Sequence, residues 1–259
     1  MGRTHAATGL LAGMALAPAV GLATTHQVLV FAATTAGFAL LPDLDHPSAS
    51  ATRLFGWLTG AVSWMLRRTS AAVYALTKGP RDENVKGTHR HLSHTLLFAV
   101  ALGAAASAGC AAGGPWAVLG VLAVGLLLAA EALGDWLVLA CAGAVSWWCV
   151  TAPGGLLTEL AGVSGWIGIA VAVGCFVHCL GDSLTESGCP FLFPLPIAGE
   201  TWYEIRPPKH LRLHTGKKVE TRLVFPLVIV ACGLTAPGVW DYLVEIVHAT
   251  AATTAGGPR

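Results

Sequence analysis

The chain has 259 residues, of which 54% are hydrophobic and 11% charged, with a formal net charge of +1 at neutral pH. A water-soluble globule of this composition lacks the polar surface to cover itself, and no basic stripe of the kind that grips DNA or RNA is present. The seven cysteines are an odd number without a C-x-x-C pair, and they read as small buried residues in packed membrane helices rather than as a disulfide or zinc-ribbon framework.

In chain order, Met1-Gly2-Arg3-Thr4-His5 precedes an apolar run over residues 6–23. The run is similar to a signal peptide with a cleavage site near Ala15-Leu16-Ala17, but it reads better as a retained first helix. A hydrocarbon core of about 30 Å takes roughly 20 residues to cross. Further runs approaching that length cover residues 28–41, 92–110, 116–133, 136–150, 166–180 and 223–247. A shorter piece over residues 54–66 meets Arg67 and Arg68 and is assigned to the interface. Trp57, Trp64, Trp147, Trp148 and Trp202 suggest an interfacial aromatic belt. The expected fold is therefore all-α, a polytopic transmembrane helical bundle of about seven spans with one extra interfacial helix, forming a single membrane-embedded domain over residues 1–259.

Seven spans put the N-terminus, residues 42–91, the turn at Gly134 and residues 181–222 on one face. Every Lys and Arg except Arg259 then lies on that face, and the connections at 24–27, 111–115 and 151–165 carry none. The positive-inside rule makes the charged face cytoplasmic, the disposition of a multi-pass protein of a bacterial inner membrane.

The same face collects imidazoles and carboxylates from four distant segments. His5 opens span one, and Asp43-Leu44-Asp45-His46 closes span two between Pro42 and Pro47. His89-Arg90-His91 and His94 precede span three, and His178 with Asp182 close span six. A carboxylate at mid-bilayer costs on the order of 2.5–3.5 kcal/mol even on lenient scales, so groups at the wet ends of helices are where ionisable residues belong. His178 and Asp182, four apart, share a helix face. Taken alone that pair reads equally as a helix-end cap, and the His89–His94 cluster as a solvated juxtamembrane patch. Three imidazoles in six residues add little charge at neutral pH, however, which favours ligation. Histidine with carboxylate suits zinc, manganese or iron better than calcium or magnesium, and zinc is the first choice, as one or two ions. The expected metal ligands are His5, Asp43, His46, His89, His94, His178 and Asp182. Arg90 is expected to neutralise a phosphoryl or acyl oxygen and Asp45 to act as general base on zinc-activated water. His210 and His214 read as solvated, and His26 and His248 as incidental.

These residues resemble a known pattern. Thr4-His5, Leu41-Pro42-Asp43-Leu44-Asp45-His46, His89-Arg90-His91-Leu92-Ser93-His94-Thr95, His178-x-x-x-Asp182-x-x-Thr185-x-x-Gly188 and Thr215-Gly216 with Glu220 are similar, in order, to the motifs of the bacterial LexA-regulated, membrane-bound metal-dependent hydrolases. The chain departs from them with His91 in place of Gly, Ser93 in place of Thr and Thr95 in place of Ser, which leaves His91 either an extra ligand or a tolerated change. The resemblance implies hydrolase activity and a distant relation to zinc-dependent phospholipase C, with membrane lipids as partners and a lipid or small-molecule substrate. A metal-binding transporter or sensor, and a structural membrane protein that binds metal only for stability, are the competing readings. Transport places ionisable groups at mid-span, whereas spans one, two, three and six carry theirs at the ends.

Overall fold

The computed structural model describes residues 2–47, 49, 52, 56–151, 155–240, 242–246 and 248. Arg53, Leu54, Pro153, Gly154, Val247 and Arg259 lie outside these, as do the side chains of Cys141, Trp148 and Cys149. Among the described residues all regular structure is helical, and backbone pairing of the β type is confined to isolated bridges. The α-helices among these residues are α1 (Gly2–Leu16), α2 (Thr25–Phe38), α3 (Trp57–Thr77), α4 (Leu96–Leu133), α5 (Trp136–Thr151), α6 (Leu156–Val163), α7 (Ile167–Ser183) and α8 (Phe225–Thr235).

Small residues set the packing. Helices that cannot rely on the hydrophobic effect against one another gain by close backbone approach, which glycine permits. A Cβ on Gly9 of α1 would come within 2.9 Å of the Ala36 Cα of α2, and one on Gly174 of α7 within 2.6 Å of the Thr35 carbonyl. Gly37 of α2 lies directly against the Gly125 backbone of α4. Helices α1, α2, α4 and α7 thus form a tight central group, with Phe31, Val118, Ile167 and Ala170 fully buried among them.

Helix α4 is interrupted at Gly114, whose φ of 63° and ψ of −156° are not helical, with Pro115 next in the chain. The break falls within the 111–115 connection expected from sequence, at Gly113-Gly114-Pro115, and leaves segments 96–113 and 115–133. Each is about 27 Å long at ~1.5 Å per residue, close to one hydrocarbon thickness, whereas an unbroken α4 would be about twice that.

Among the described residues two helical stretches are long and apolar enough to cross a membrane, Thr25–Asp45 and Leu96–Leu133, and a third is added if α6 and α7, bent by 52°, make one crossing. The expected count of seven is thus not reached on this criterion. Helices α1, α5 and α8 have only 15, 16 and 11 residues. The helix in the run expected over 223–247 breaks after Thr235, where Ala236 turns to ψ 140° ahead of Pro237, and helical backbone resumes at residues 239–240 and 242–246.

The expected interfacial piece is longer than its apolar core indicated. Helix α3 continues through Arg67 and Arg68 to Thr77 and ends where Lys78 becomes extended. Its buried positions are polar or hydroxyl-bearing (Thr59, Ser63, Ser70, Tyr74), while Trp57, Trp64, Met65 and Leu76 point outward. That is the reverse of a helix on a soluble protein, and it fits a helix whose outer side meets lipid. Trp57, Trp64 and Trp147 are exposed as a belt requires, but Trp202 departs from that expectation: it is buried and stacked on Phe193 at 3.8 Å.

Candidate metal centre

The first turn of α1, the 3-10 turn Pro42–Asp45 after α2, the 3-10 turn Leu92–His94 before α4 and the last turns of α7 meet at one end of the bundle. Proline at the first position starts the 42–45 turn, where its missing N–H costs nothing. Thr95 caps α4 by accepting the Phe98 N–H at 3.0 Å, which leaves His94 just ahead of the helix.

Two overlapping groups of potential ligand atoms result, His5 with His178 and Asp182, and Asp43 with His94 and His178; within each, the atoms lie within 4.8 Å of one another. His178 is common to both. Its Nδ1 is 2.8 Å from the Ala39 carbonyl, which can only accept, so Nδ1 carries the hydrogen and Nε2 of the neutral ring presents a lone pair. On His94, Nδ1 lies 3.0 Å from the Ser93 hydroxyl, which itself donates to Asp45 Oδ2 at 2.6 Å. This chain directs the Nδ1 hydrogen of His94 toward Ser93, so that in the neutral ring its Nε2 also presents a lone pair. The two Nε2 atoms face each other at 3.2 Å. With both rings neutral, two lone pairs at that separation repel unless a positive charge, a metal ion or a proton on one ring, lies between them.

Asp182 completes the case. It is 1% exposed, and its oxygens lie 3.3 Å from His5 Nε2, 3.0 Å from Arg90 Nη2, 3.3 Å from His94 Nε2 and 3.7 Å from His178 Nε2. None of these nitrogens is aligned as a hydrogen bond to it. A buried carboxylate ringed by nitrogens without hydrogen-bond geometry is costly as it stands. It is the arrangement of ligands that converge on a shared point, and the donor set of imidazole and carboxylate fits a divalent ion of the zinc, manganese or iron type.

The remaining residues expected at the site take other positions. Asp45 is fully buried, and its oxygens accept from the Arg90 N–H at 2.9 Å and the Ser93 hydroxyl at 2.6 Å and lie 2.5 Å from His89 Nδ1. A carboxylate so occupied orients its neighbours and has little capacity left to act as a base. It also holds the Arg90 backbone at a φ of 55°, in the left-handed region that non-glycine residues seldom adopt. That turn aims the half-buried guanidinium at Asp182 and at the Thr185 hydroxyl, 3.1 Å away. His89 serves Asp45, and His46 packs its ring 4.7 Å from that of His89, so neither joins the two ligand groups. Cys175 and Cys179 are buried against the backbone carbonyls of Phe38 and Ser93 and likewise stand outside them.

An open cavity of about 240 Å³ is lined by His5, Asp43, Arg90 and Asp182, with His46, His89 and Thr215 also at its walls. Thr215 belongs to the basic loop, which folds back onto the bundle through the Leu213 N–H to Leu184 carbonyl bond at 2.9 Å. Glu220 fixes that loop: it accepts the Thr4 hydroxyl at 2.7 Å and the Gly216 N–H at 2.6 Å, one residue from His5. Burial pushes the Glu220 carboxyl up, but the Gly216 and Thr4 donors together with the charge of the chain's N-terminus hold its pKa below the ordinary glutamate value. His214 pairs with Glu186 at 3.1 Å in the open, as a solvated residue should. His91 turns away from the ligands: its Nδ1 donates to the His89 carbonyl at 2.7 Å, and burial lowers its pKa. The close seat of His5 against Gly181, where a Cβ would be 3.0 Å from the ring, has no clear sequence signal beyond a glycine three residues after His178.

No curated protein and no solved structure matches the chain. The profile of one family, described as the YdjM inner membrane protein, covers residues 1–244 and hence all four segments that carry the candidate ligands. By that match the chain belongs to the YdjM inner membrane protein family.

Proposed function

We propose that this protein is a metal-dependent hydrolase of the bacterial inner membrane, acting on a phosphoester or lipid-linked substrate at the cytoplasmic face. The observation that carries the reading is the pair of Nε2 atoms of His94 and His178, turned toward each other beside the buried Asp182 carboxylate. His5, His178 and Asp182 would hold one ion, and Asp43 and His94 would complete a second position around the shared His178. A divalent ion of the zinc type, when bound, acidifies water and draws electron density from a scissile phosphoryl or acyl group.

The protein's own groups supply the rest. Arg90, anchored by Thr185 and reaching the cavity, binds an anionic oxygen of the substrate and neutralises the charge that builds on it. Asp43 keeps about a quarter of its side chain exposed, so with one oxygen on the ion the other would take up the proton that water releases. Asp45 and Ser93 are positioning residues that fix the tautomer of His94, as outer carboxylates do for liganding histidines. Seven crossings follow if α1, α2, the two segments of α4, α5, the bent α6–α7 pair and the run from Leu223 onward each traverse the bilayer. The Lys and Arg residues then gather on the side of the site.

The test is turnover by detergent-purified protein on a panel of phosphodiester, phosphomonoester and carboxylester substrates, with metal removed and restored. One activity that depends on metal and is absent from His178→Ala supports the reading. Folded, metal-loaded protein inactive on every class contradicts it.

A further inference from the structure

A second cavity, of about 160 Å³, lies on the other side of the His89–His91 segment, between the end of α3 and the loops that carry residues 82–91 and 200–206. Its volume is well below the ~300 Å³ at which drug-sized pockets begin, so it suits a small group rather than a whole lipid or a peptide.

Its floor is aromatic and rigid. Tyr74 and Trp202 are buried with ring centroids 5.3 Å apart, and the His91 ring stands 4.6 Å from Tyr74 and 5.5 Å from Trp202. Their polar atoms are already committed. The Tyr74 hydroxyl donates to the Glu83 carbonyl, the Trp202 indole N–H donates to Thr77 Oγ1 at 3.0 Å, and His91 Nδ1 donates to His89. What Tyr74 and Trp202 offer the cavity is therefore ring surface.

Its rim is acidic beyond what the protein neutralises. Asp82, Glu83, Glu200 and Glu204 line it against one cation, Arg206, which lies 3.3 Å from Glu204. The Asp82 oxygens are taken by the Gly79 and Trp202 N–H groups at 2.6 and 2.9 Å. Glu83 and Glu200 have no side-chain hydrogen bond or ion pair among the described residues. Burial and the charges of Glu83 and Glu200 raise the pKa of Glu204, while Arg206 and Arg90 oppose the rise, so the rim keeps a net excess of negative charge. A bare divalent ion wants oxygen ligands and has no use for the rings. An anion is repelled. An organic ammonium satisfies both, with its charge on the carboxylates and its methylene or methyl groups on the aromatic faces.

His91 lines this cavity, and its chain neighbour Arg90 lines that of the metal centre. The two cavities therefore flank one stretch of backbone, and the Arg90 charge is near enough to act on Glu204 at the second cavity's rim. We propose that the cavity formed by Tyr74, Trp202, Glu83, Glu200 and Glu204 binds the ammonium group of a zwitterionic phosphodiester whose phosphate is held by Arg90. This rests on the phosphoester reading of the metal centre for the phosphate, but not for the ammonium.

The experiment is calorimetric titration of detergent-purified full-length protein with tetramethylammonium, glycerophosphoethanolamine and glycerol 3-phosphate, on wild type and on Glu83→Gln/Glu200→Gln. Both glutamates reach solvent, so the double variant should fold, and thermal melting checks that it does. The proposal expects glycerophosphoethanolamine to bind wild type at least tenfold more tightly than glycerol 3-phosphate. It expects tetramethylammonium to bind wild type, and both ammonium effects to vanish in the variant with metal content unchanged. Tetramethylammonium binding without any phosphate binding keeps the ammonium site and removes the phosphoester reading. Equal binding of the two phosphates together with no tetramethylammonium binding, or ammonium binding unchanged in the variant, overturns the proposal. Competition with nanodiscs of phosphatidylethanolamine or phosphatidylglycerol identifies the source. Displacement of tetramethylammonium by the first alone marks a membrane lipid, and displacement by soluble glycerophosphoethanolamine alone marks a free metabolite.

Discussion

The Nε2 atoms of His94 and His178 stand 3.2 Å apart, each on a ring whose Nδ1 has its hydrogen directed elsewhere. A cation relieves that opposition, so metal binding and folded-state stability are linked. A ligand at about 1,000 times its Kd stabilises by about 4 kcal/mol. Chelator treatment should therefore lower the melting temperature of the wild type by several degrees. In His178→Ala, which removes the residue common to both ligand groups, the melting temperature should be lower from the start and should not respond to chelator. A wild type indifferent to chelator would remove the link.

Asp45→Asn tests the outer ring of the site. The native carboxylate receives only donors, from Arg90 N–H, Ser93 Oγ and His89 Nδ1, and an amide in its place presents an N–H to at least one of them. Loss of such orienting groups costs about 10–100-fold in metal affinity. Competition against a chelating dye should show that weakening while the metal stoichiometry at saturation stays the same. Loss of stoichiometry would instead make Asp45 a ligand.

Gly181→Ala separates site geometry from helix stability. The new Cβ would lie 3.0 Å from His5 Cε1 and 3.1 Å from its Nδ1, so the ring must give by a few tenths of an ångström. The substitution favours helix by about 1 kcal/mol. The expected result is a melting temperature equal to or above that of the wild type, with metal affinity about tenfold weaker. Unchanged affinity would show that His5 does not bind the ion.

Glu220 gives a pH signature. Its folded-state pKa is depressed, so the stabilisation it supplies is complete above the unfolded value of about 4.3 and disappears as the pH falls through the lower folded value. Glu220→Gln should melt about 2–4 °C below the wild type at pH 7. The two curves should converge below about pH 4. A gap that persists in acid would mean that the Thr4 and Gly216 contacts do not depend on the charge.

Much of this site was legible in the sequence because its residues sit where helices end. His5, Asp43, His94, His178 and Asp182 are each marked by an ionisable group at the boundary of an apolar run, and parity of crossings puts those boundaries on one face. The roles inside the cluster were not legible. Asp43 and Asp45 are two apart in one turn, yet Asp45 is fully buried among hydrogen-bond donors and Asp43 lines the open cavity, a distinction set by neighbours from a segment 44 residues away. His46 and His89 carry the same chemistry as the candidate ligands and are diverted by local geometry. Trp202 shows the same limit in the fold, since tryptophan near a membrane end reads as a belt residue and only tertiary contact with Tyr74 and Phe193 makes it core. The extent of α3 was obscured because its polar inner side and two arginines lower the hydropathy of a helix that is nonetheless continuous.

The most direct test of the metal centre is elemental analysis of the purified protein after equilibration with zinc and removal of the excess, on wild type, His178→Ala and Asp182→Ala. The account predicts one or two ions per chain in the wild type and none retained in His178→Ala, with Asp182→Ala losing at least one. Folded wild type that retains no ion, or a His178→Ala variant that retains the full complement, would contradict it.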